Sequence, residues 1–192
     1  MLRQEKTTPR ILDESVLRSR ARAVRLLLTD CDGVLTDGGV YYSERGEAMM
    51  RFSVRDGMGV ERLRRNGIAT ALVTRSVSGS IRRRAQKLNL SAVYEGILDK
   101  DRALRLLLSG HNCTMREVAC IGDDLNDLNL LLKVGVEGLT GAPSDAMDEV
   151  LGAVHFRSKR PGGHGAFREF AEWILELRRG PDADEVRFSR SH

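Results

Sequence analysis

The sequence is organised around one stretch, residues 26–38, which reads Leu26-Leu27-Leu28-Thr29-Asp30-Cys31-Asp32-Gly33-Val34-Leu35-Thr36-Asp37-Gly38. Its apolar start is typical of a buried strand in a parallel sheet. If the strand continues to its end, Asp30 and Asp32 point to the same side, because side chains alternate with period two. Two carboxylates held side by side repel each other, so this pair needs a cation, a shared proton or a chemical task.

Apolar strand-like runs alternate with helical segments along the rest of the chain. Residues 68–73 and 118–121 are the next main buried runs, and each leads into a helical pattern. Shorter runs at residues 135–139 and 153–156 predict further strands, and Asp56 is expected to N-cap a helix that runs to about Arg65. This alternation predicts an α/β fold with a mostly parallel sheet covered by helices on both faces. One insertion interrupts it directly after Asp32, where residues 38–42 and 49–54 predict a β-hairpin whose turn places Gly46 at positive φ.

The length and composition of the chain predict a single globular domain. With 192 residues, 41% hydrophobic and 30% charged, the chain is long enough for a sizeable core. We assign residues 23–178 to this domain. Residues 1–22 are a polar N-terminal extension with a short helix near residues 14–20, and residues 179–192 are a flexible polar tail. No run is long enough to span a membrane, and the N-terminus lacks the apolar core of a signal peptide.

The charge and the cysteines restrict the kinds of partner and the cellular compartment. The net charge of +4 is mild and the aromatic content is 5%, so we expect an anionic small molecule and no nucleic acid. Cys31, Cys113 and Cys120 lack metal-binding spacing, and two of them lie in or beside apolar runs. Buried reduced thiols are therefore expected, which indicates a cytoplasmic location.

Polar residues follow three of the predicted strands at the point where each ends. They are Asp30 and Asp32 after the first strand, Thr74 after the second, and Asp123 and Asp124 after the strand at 118–121. Ligands bind at the carboxyl ends of the strands in such sheets. The sequence therefore predicts four carboxylates and a hydroxyl group at one edge of the sheet.

One lysine is unusual for its position. Lys100 lies in the first turn of the helix predicted over residues 99–109, where a cation opposes the helix dipole. Solvation beside Asp99 and Asp101 is one explanation, and a bound anion explains the position better.

Each feature also has an ordinary structural interpretation. Asp32-Gly33 alone suits a turn, and the acidic run at residues 122–127 suits the first turn of a helix. Thr74 or Ser76 is an N-cap candidate. The functional interpretation therefore depends on all of these features appearing together, in order, at successive strand ends.

That combination resembles the haloacid dehalogenase-like phosphohydrolase superfamily. The four signatures match Asp30-x-Asp32, Thr74, Lys100, and Gly122-Asp123-Asp124 with Asp127, and the matching stretch covers about residues 24–175. Residues 30–38, 52–57, 122–127 and 162–169 are together similar to the 3-deoxy-D-manno-octulosonate 8-phosphate phosphatase group. That group also includes phosphatases of nine-carbon keto-acid sugars and the C-terminal domain of some CMP-sialate synthetases.

The resemblance implies a fold, an assembly and a cofactor. The fold is a three-layer Rossmann-like sheet whose only cover is a small β-hairpin, with no large cap domain. The assembly is a homotetramer in which a neighbouring subunit helps to enclose each site. The cofactor is Mg²⁺, held by the Asp30 carboxylate, the backbone carbonyl of Asp32 and the Asp123 carboxylate.

The resemblance also implies a role for each signature residue. Asp30 attacks phosphorus to give an aspartyl-phosphate, and Asp32 acts as the general acid and base. Thr74 and Lys100 bind the phosphoryl oxygens. Ser76, two residues after Thr74, is not one of the signature residues but is a further candidate substrate contact. Asp124 and Asp127 lie behind these groups and hold metal-bound water or orient Lys100.

The implied substrate is a phosphorylated 2-keto-3-deoxy sugar acid, most specifically 3-deoxy-D-manno-octulosonate 8-phosphate of lipopolysaccharide biosynthesis. Arg55 and Arg168 are candidate partners of its carboxylate, since a guanidinium group matches one, although solvated surface arginines remain the alternative. The octulosonate phosphatases usually have Gly-Arg-Ser after the threonine, whereas this chain has Arg75-Ser76-Val77. This departure keeps open the alternative of a nine-carbon keto-acid sugar 9-phosphate phosphatase. A non-catalytic oligomerisation module like the synthetase domain, and a phosphatase of a different ester such as a nucleotide or a simple sugar phosphate, are further alternatives.

Overall fold

The computed structural model of the chain describes residues 12–179 and contains one six-stranded parallel sheet, in the order β5-β4-β1-β6-β7-β8, and a separate hairpin, β2-β3. The strands are β1 (Leu26–Thr29), β2 (Val40–Ser43), β3 (Gly46–Met50), β4 (Ala69–Val73), β5 (Ala92–Tyr94), β6 (Val118–Ile121), β7 (Leu139–Ala142) and β8 (Phe156–Arg157). The helices are α1 (Glu14–Ala23), α2 (Val54–Arg65), α3 (Gly79–Leu88), α4 (Lys100–His111), α5 (Leu125–Gly135), α6 (Asp148–Leu151) and α7 (Ala166–Arg179), with a 3₁₀ turn at Met115–Glu117. The predicted tail beyond residue 179 and the first residues of the predicted N-terminal extension lie outside the described part.

The sheet separates two hydrophobic cores, as expected for three layers. Along β1, Leu27 packs with Leu63, Ile81 and Phe170 on the side of α1, α2, α3 and α7. Its neighbours Leu26 and Leu28 pack on the opposite side, against α4, α5 and α6. The central strand is therefore buried on both faces, which explains why its sequence is a continuous apolar run. The predicted α/β class and the parallel sheet are confirmed.

The insertion between β1 and α2 is the predicted antiparallel hairpin, and Gly46 has the expected positive φ of 102°. The predicted bounds of its second strand, residues 49–54, were wrong at both ends, since β3 already begins at Gly46. That strand stops at Met50, because the Ser53 side chain accepts hydrogen bonds from the backbone N–H groups of Arg55 and Asp56 and starts α2 there.

The last two strands of the sheet, β7 and β8, begin later than the sequence pattern predicts. Residues 135–139 were expected to form a strand, but Gly135 ends α5 and β7 runs from Leu139 to Ala142. Arg20 of α1 donates hydrogen bonds to the carbonyl oxygens of Gly135, Val136 and Gly138. These carbonyl groups, at and just after the end of α5, are satisfied by the Arg20 guanidinium and are unavailable for a strand ladder. The short strand expected at residues 153–156 is likewise shifted, to Phe156–Arg157.

Helix α1 falls within the segment assigned to the N-terminal extension, and it is docked on the domain. Ala21 is fully buried in the core shared with α7. Arg178 of α7 donates hydrogen bonds to the carbonyl oxygens of Ala21 and Val24, at 3.4 and 2.6 Å. The described part of the chain has no helix with both the length and the apolar character needed to cross a membrane.

Candidate active site

Three neighbouring strands bring the predicted site residues to one edge of the sheet. Strand β1 pairs in parallel with β4 on one side and β6 on the other, so their carboxyl ends meet. A cleft of about 230 Å³ opens there. It is lined by Asp30, Asp32, Thr74, Arg75, Ser76, Asp123, Asp124 and Asn126. The structure therefore brings together residues that lie up to about a hundred positions apart in the sequence.

Lys100 is buried next to this cleft, between two carboxylates. Its Nζ lies 2.6 Å from Asp30 Oδ1 and 2.6 Å from Asp127 Oδ1, and the lysine side chain is 1% exposed. A buried cation is costly unless it is paired. The two carboxylates supply that pairing, which explains why a lysine occupies the first position of α4. Asp127 thus contacts Lys100, the partner suggested for it by the resemblance.

Asp30, Asp123 and Asp127 form a cluster that suits a divalent cation. Each offers one carboxylate oxygen, and these atoms lie within 4.8 Å of one another. Asp127 is already used by Lys100 and by the backbone N–H of Asp123, which donates to its Oδ2 at 3.2 Å. Asp123 Oδ1, in contrast, is buried and has no hydrogen-bond partner among the described residues. An unpaired buried carboxylate oxygen beside a second carboxylate fits Mg²⁺, which prefers hard oxygen ligands.

Glycine at position 33 makes room for this cluster. Gly33 has φ +81°, and a Cβ atom there would lie 2.0 Å from Asp123 Oδ2. Any side chain would therefore displace Asp123. The glycine that follows the two aspartates is required both by its backbone conformation and by the close approach of the third aspartate.

Burial and mutual repulsion raise the pKa values of the Asp30 and Asp123 carboxyl groups. Burial, with a further contribution from Asp127, raises the pKa of Asp30 to about 7, although Lys100 opposes the shift. Burial and the carboxylates of Asp30 and Asp127 raise the pKa of Asp123 to about 8. For Lys100, burial lowers the pKa, but Asp30 and Asp127 outweigh it and the net pKa lies above the ordinary value. The metal-free site therefore retains protons on these carboxylates, and it must lose those protons to bind a cation.

We expect the stabilisation by Mg²⁺ to grow with pH. Because the pKa values of Asp30 and Asp123 are raised above those of the unfolded chain, the metal-free fold binds more protons than the unfolded state and loses stability as pH rises towards about 8. Mg²⁺ competes with those protons. The difference in Tm between excess Mg²⁺ and chelator should be larger at pH 8.5 than at pH 6. Asp123→Asn should reduce it at both values, and an equal difference at both pH values in the unmodified protein would contradict the assignment.

Thr74 and Ser76 occupy the loop after β4. Thr74 is 1% exposed, and its Oγ1 accepts a hydrogen bond from the backbone N–H of Ser76 at 3.0 Å. The Ser76 hydroxyl donates to Asp32 Oδ2 at 2.6 Å. Ser76, expected as a substrate contact, thus has a direct contact with another site residue.

Asp124 serves two purposes at the start of α5. Its Oδ1 accepts a hydrogen bond from the backbone N–H of Leu125 at 2.6 Å, as an N-cap does, and the exposed side chain lines the cleft. Asn126, in the same first turn, lies within the motif at residues 122–127, but the sequence indicates no role for it. Its Oδ1 is buried and has no hydrogen-bond partner among the described residues. Its position next to the signature residue Asp127 was the available signal.

The two arginines expected to bind a carboxylate do not line the cleft of this chain. Arg55 lies exposed on α2. The Arg168 Nε donates to Glu172 Oε1 at 2.7 Å, and Arg62 pairs with the same glutamate. The cation that does line the cleft is Arg75, the residue at which the sequence departs from the octulosonate phosphatase pattern.

The glycine-rich segment 162–165 supports the loop that carries Asp32. A Cβ atom on Gly162 would lie 1.8 Å from the carbonyl oxygen of Gly33, and Gly163 donates its backbone N–H to the carbonyl oxygen of Val34 at 3.0 Å. The segment is anchored from α2 by Asp56, whose carboxylate accepts hydrogen bonds from the N–H groups of Gly165 and Arg168, both at 3.1 Å. Asp56 was predicted to cap its own helix, and it instead lies buried at the start of α7.

Comparison with known proteins gives one consistent group of relatives. No family model matches the chain. It is 38% identical over 156 residues to the 3-deoxy-D-manno-octulosonate 8-phosphate phosphatase KdsC of Yersinia pestis, covering 81% of this chain and 82% of that protein. It superimposes with a TM-score of 0.80 and 31% identity on the Moraxella catarrhalis phosphatase of the same name, solved with magnesium, phosphate and KDO, covering 90% of this chain and 97% of that one.

A relative of another class also matches. The chain is 31% identical over 163 residues to N-acylneuraminate cytidylyltransferase A of Danio rerio, covering 84% of this chain and 37% of that protein.

Proposed function

Because the chain belongs to the 3-deoxy-D-manno-octulosonate 8-phosphate phosphatase family of the haloacid dehalogenase-like superfamily, we propose that it hydrolyses a phosphorylated 2-keto-3-deoxy sugar acid, with 3-deoxy-D-manno-octulosonate 8-phosphate as its substrate. The observation that supports this most strongly is the buried contact of Lys100 with Asp30 and Asp127 beside the unpaired carboxylate of Asp123. The enzyme is a phosphatase, and its cofactor is Mg²⁺.

The reaction follows from the residues at the end of β1. An Asp30 carboxylate oxygen attacks phosphorus opposite the ester oxygen, a P–O bond to the enzyme forms, and the bond to the sugar breaks. Asp32 gives its proton to the departing sugar alcohol. It then takes a proton from the water that attacks the aspartyl-phosphate, which releases phosphate and restores Asp30.

The remaining groups stabilise the negative charge at the phosphoryl group and at Asp30. Thr74 and Lys100 bind the phosphoryl oxygens, and Lys100 offsets negative charge that develops in the transition state. Mg²⁺, held by Asp30, Asp123 and the backbone carbonyl of Asp32, would supply a positive charge that reduces repulsion between the attacking carboxylate and the phosphate. Asp127 orients Lys100, and its contacts with Nζ and with the Asp123 N–H support this role.

The position of Arg75 gives the substrate's carboxylate a partner within the same subunit. It is the cation among the residues that line the cleft, and the other charged residues there are the four aspartates. A guanidinium group recognises a carboxylate through paired hydrogen bonds. Arg55 and Arg168 remain proposed carboxylate contacts for the site of a neighbouring subunit, since they lie outside the cleft of their own chain.

We expect Arg75→Ala to raise KM for the sugar acid phosphate by up to about fivefold, since an exposed ion pair contributes at most about 1 kcal/mol. For a sugar phosphate without a carboxylate, KM should change by less than about twofold. Steady-state kinetics on both substrates make the comparison, with Arg83→Ala, an exposed arginine on α3, as the control. An equal rise in KM for both substrates would show that Arg75 does not bind the carboxylate of the substrate.

We propose that the enzyme is a homotetramer in which the β2-β3 hairpin contacts a neighbouring subunit. The hairpin exposes Tyr41, Tyr42 and Met49, which are 58%, 76% and 60% accessible. Exposed apolar groups clustered in this way are typical of an interaction surface. Light scattering at micromolar concentration should give the mass of four chains, and a monomer would contradict the shared site.

The domain boundaries and the cellular location of the chain are also proposed. We propose that residues 23–178 form the single phosphatase domain, against which helix α1 of the N-terminal extension packs, with a C-terminal tail after it. We also propose a cytoplasmic location, since Cys31, Cys113 and Cys120 are free thiols and a reducing compartment maintains such thiols.

Phosphate release across a panel of esters tests the function. Eight-carbon and nine-carbon keto-acid phosphates are compared in the presence of Mg²⁺, with common sugar phosphates as controls. The proposal predicts the highest kcat/KM for the eight-carbon substrate. A higher value for a nine-carbon substrate would favour the alternative of a nine-carbon keto-acid sugar 9-phosphate phosphatase. No release from any ester would favour the non-catalytic module, against which the complete set of Asp30, Asp32, Lys100 and Asp123 argues.

A further inference from the structure

The Asp32 carboxylate is held by a single side chain. The Ser76 hydroxyl donates to its Oδ2 at 2.6 Å, within the short range expected for an O–H group bonded to a carboxylate. The other oxygen, Oδ1, has no hydrogen-bond partner among the described residues. The rotation of this carboxyl group therefore depends on one hydroxyl from a loop that lies 44 positions further along the sequence.

Ser76 is itself fixed to the sheet. Its backbone N–H donates to Thr74 Oγ1 at 3.0 Å. Thr74 in turn donates its N–H to the carbonyl oxygen of Tyr94 at 2.9 Å and accepts from the N–H of Ile97 at 3.0 Å. These contacts tie the loop after β4 to the end of β5, so the hydroxyl of Ser76 has a defined position relative to the cleft.

We propose that Ser76 is a positioning residue for the general acid and base, and that it acts through Asp32 rather than on the phosphate. The proposal rests on the function proposed above, in which Asp32 protonates the departing sugar alcohol. A carboxyl group that rotates away from the ester oxygen cannot transfer its proton in the transition state. Ser76 prevents that rotation.

Two substrates with different leaving groups can distinguish this positioning role of Ser76 from a purely structural one. A sugar alcohol is a poor leaving group and needs protonation, whereas a nitrophenolate departs as a stable anion and does not. The parameter kcat/KM reports the steps up to formation of the aspartyl-phosphate. Loss of the correctly oriented acid should therefore lower kcat/KM for the sugar ester and leave that for p-nitrophenyl phosphate nearly unchanged.

We expect Ser76→Ala to lower kcat/KM for the sugar acid phosphate by about 30-fold, less than the roughly 100- to 10,000-fold contribution of a complete general acid. For p-nitrophenyl phosphate the change should stay within about twofold. Ser76→Thr, which keeps the hydroxyl, should recover most of the loss. Ser109→Ala, on the exposed end of α4, is the control and should resemble the unmodified enzyme.

A double-mutant cycle gives the same test without the aryl substrate. Ser76→Ala should cost about 30-fold in the unmodified enzyme and less than about twofold when Asp32 is already asparagine, because residues that act through one another are not additive. Equal losses on both substrates, a rise in KM alone, or full additivity in the cycle would overturn the positioning role. An unmodified enzyme that hydrolyses neither ester would overturn the proposed function itself, which is a different outcome.

Discussion

Replacement of Asp30 by asparagine is expected to reduce kcat by at least about 10,000-fold, the scale seen when a nucleophile is removed. The amide cannot attack phosphorus, so no aspartyl-phosphate forms. The fold should survive, because the amide oxygen can still accept the hydrogen bond that Lys100 Nζ now donates at 2.6 Å. Phosphate release under saturating substrate and Mg²⁺ measures the effect.

The matched control for this variant is Asp148→Asn, an exposed aspartate in the first turn of α6. It makes the same chemical change away from the cleft and should leave kcat within about twofold. Thermal unfolding of both variants checks that any loss is chemical. Unchanged activity in Asp30→Asn would remove Asp30 from the mechanism.

Replacement of Lys100 by methionine is expected to affect stability and activity together. Methionine retains most of the apolar stem but leaves the carboxylates of Asp30 and Asp127 buried without their cation. Removing one partner of a buried ion pair costs about 3 kcal/mol or more, so the free energy of unfolding of the metal-free protein should fall by that amount. The variant should also lose at least about 100-fold in kcat/KM, because Lys100 offsets charge in the transition state.

Lys133→Met provides the control, since its Nζ also pairs with an aspartate, Asp101, at 2.5 Å, but its side chain is 55% exposed. An exposed pair contributes at most about 1 kcal/mol. Denaturant unfolding in the presence of a chelator compares the two variants. If both variants lose the same small free energy of unfolding, the buried pairing of Lys100 contributes no more to stability than an exposed pair. The structural basis of the site would then need another explanation.

The sheet and its polar edge were predictable because their signals are local in sequence. The apolar run of β1 ends at Asp30, and the runs of β4 and β6 end at Thr74 and Asp123. Parallel strands then bring these ends together without further information. Lys100 was recognisable because a cation at the start of a helix needs an explanation.

The features that escaped prediction depend on contacts between distant residues. Asp56 has the sequence appearance of an N-cap, yet Ser53 caps α2 and Asp56 binds the backbone of Arg168, 112 positions away. Position 141 in β7 is a glycine because a Cβ atom there would lie 2.6 Å from the Phe170 ring. A pattern of single residues cannot reveal such packing, nor the contacts of Arg20 with the carbonyl groups before β7, which is why β7 was expected too early.

Ser76 and Arg75 illustrate the same limit at the site. Both were recognised as departures from the octulosonate phosphatase pattern, and their consequences were not predictable from sequence. The structure places Arg75 on the cleft wall and Ser76 against Asp32. A difference in sequence at one loop therefore bears on two distinct properties, carboxylate recognition and the orientation of the general acid.

Trapping the phosphorylated enzyme is the most direct test that phosphate passes through Asp30. The enzyme is mixed with a substrate labelled on the phosphate, quenched in acid within the first turnover, and digested. We expect a labelled peptide that contains Asp30, whose label hydroxylamine releases as expected for an acyl-phosphate, and no label in the Asp30→Asn variant. Label on another residue, or turnover with no labelled peptide at any time, would contradict it.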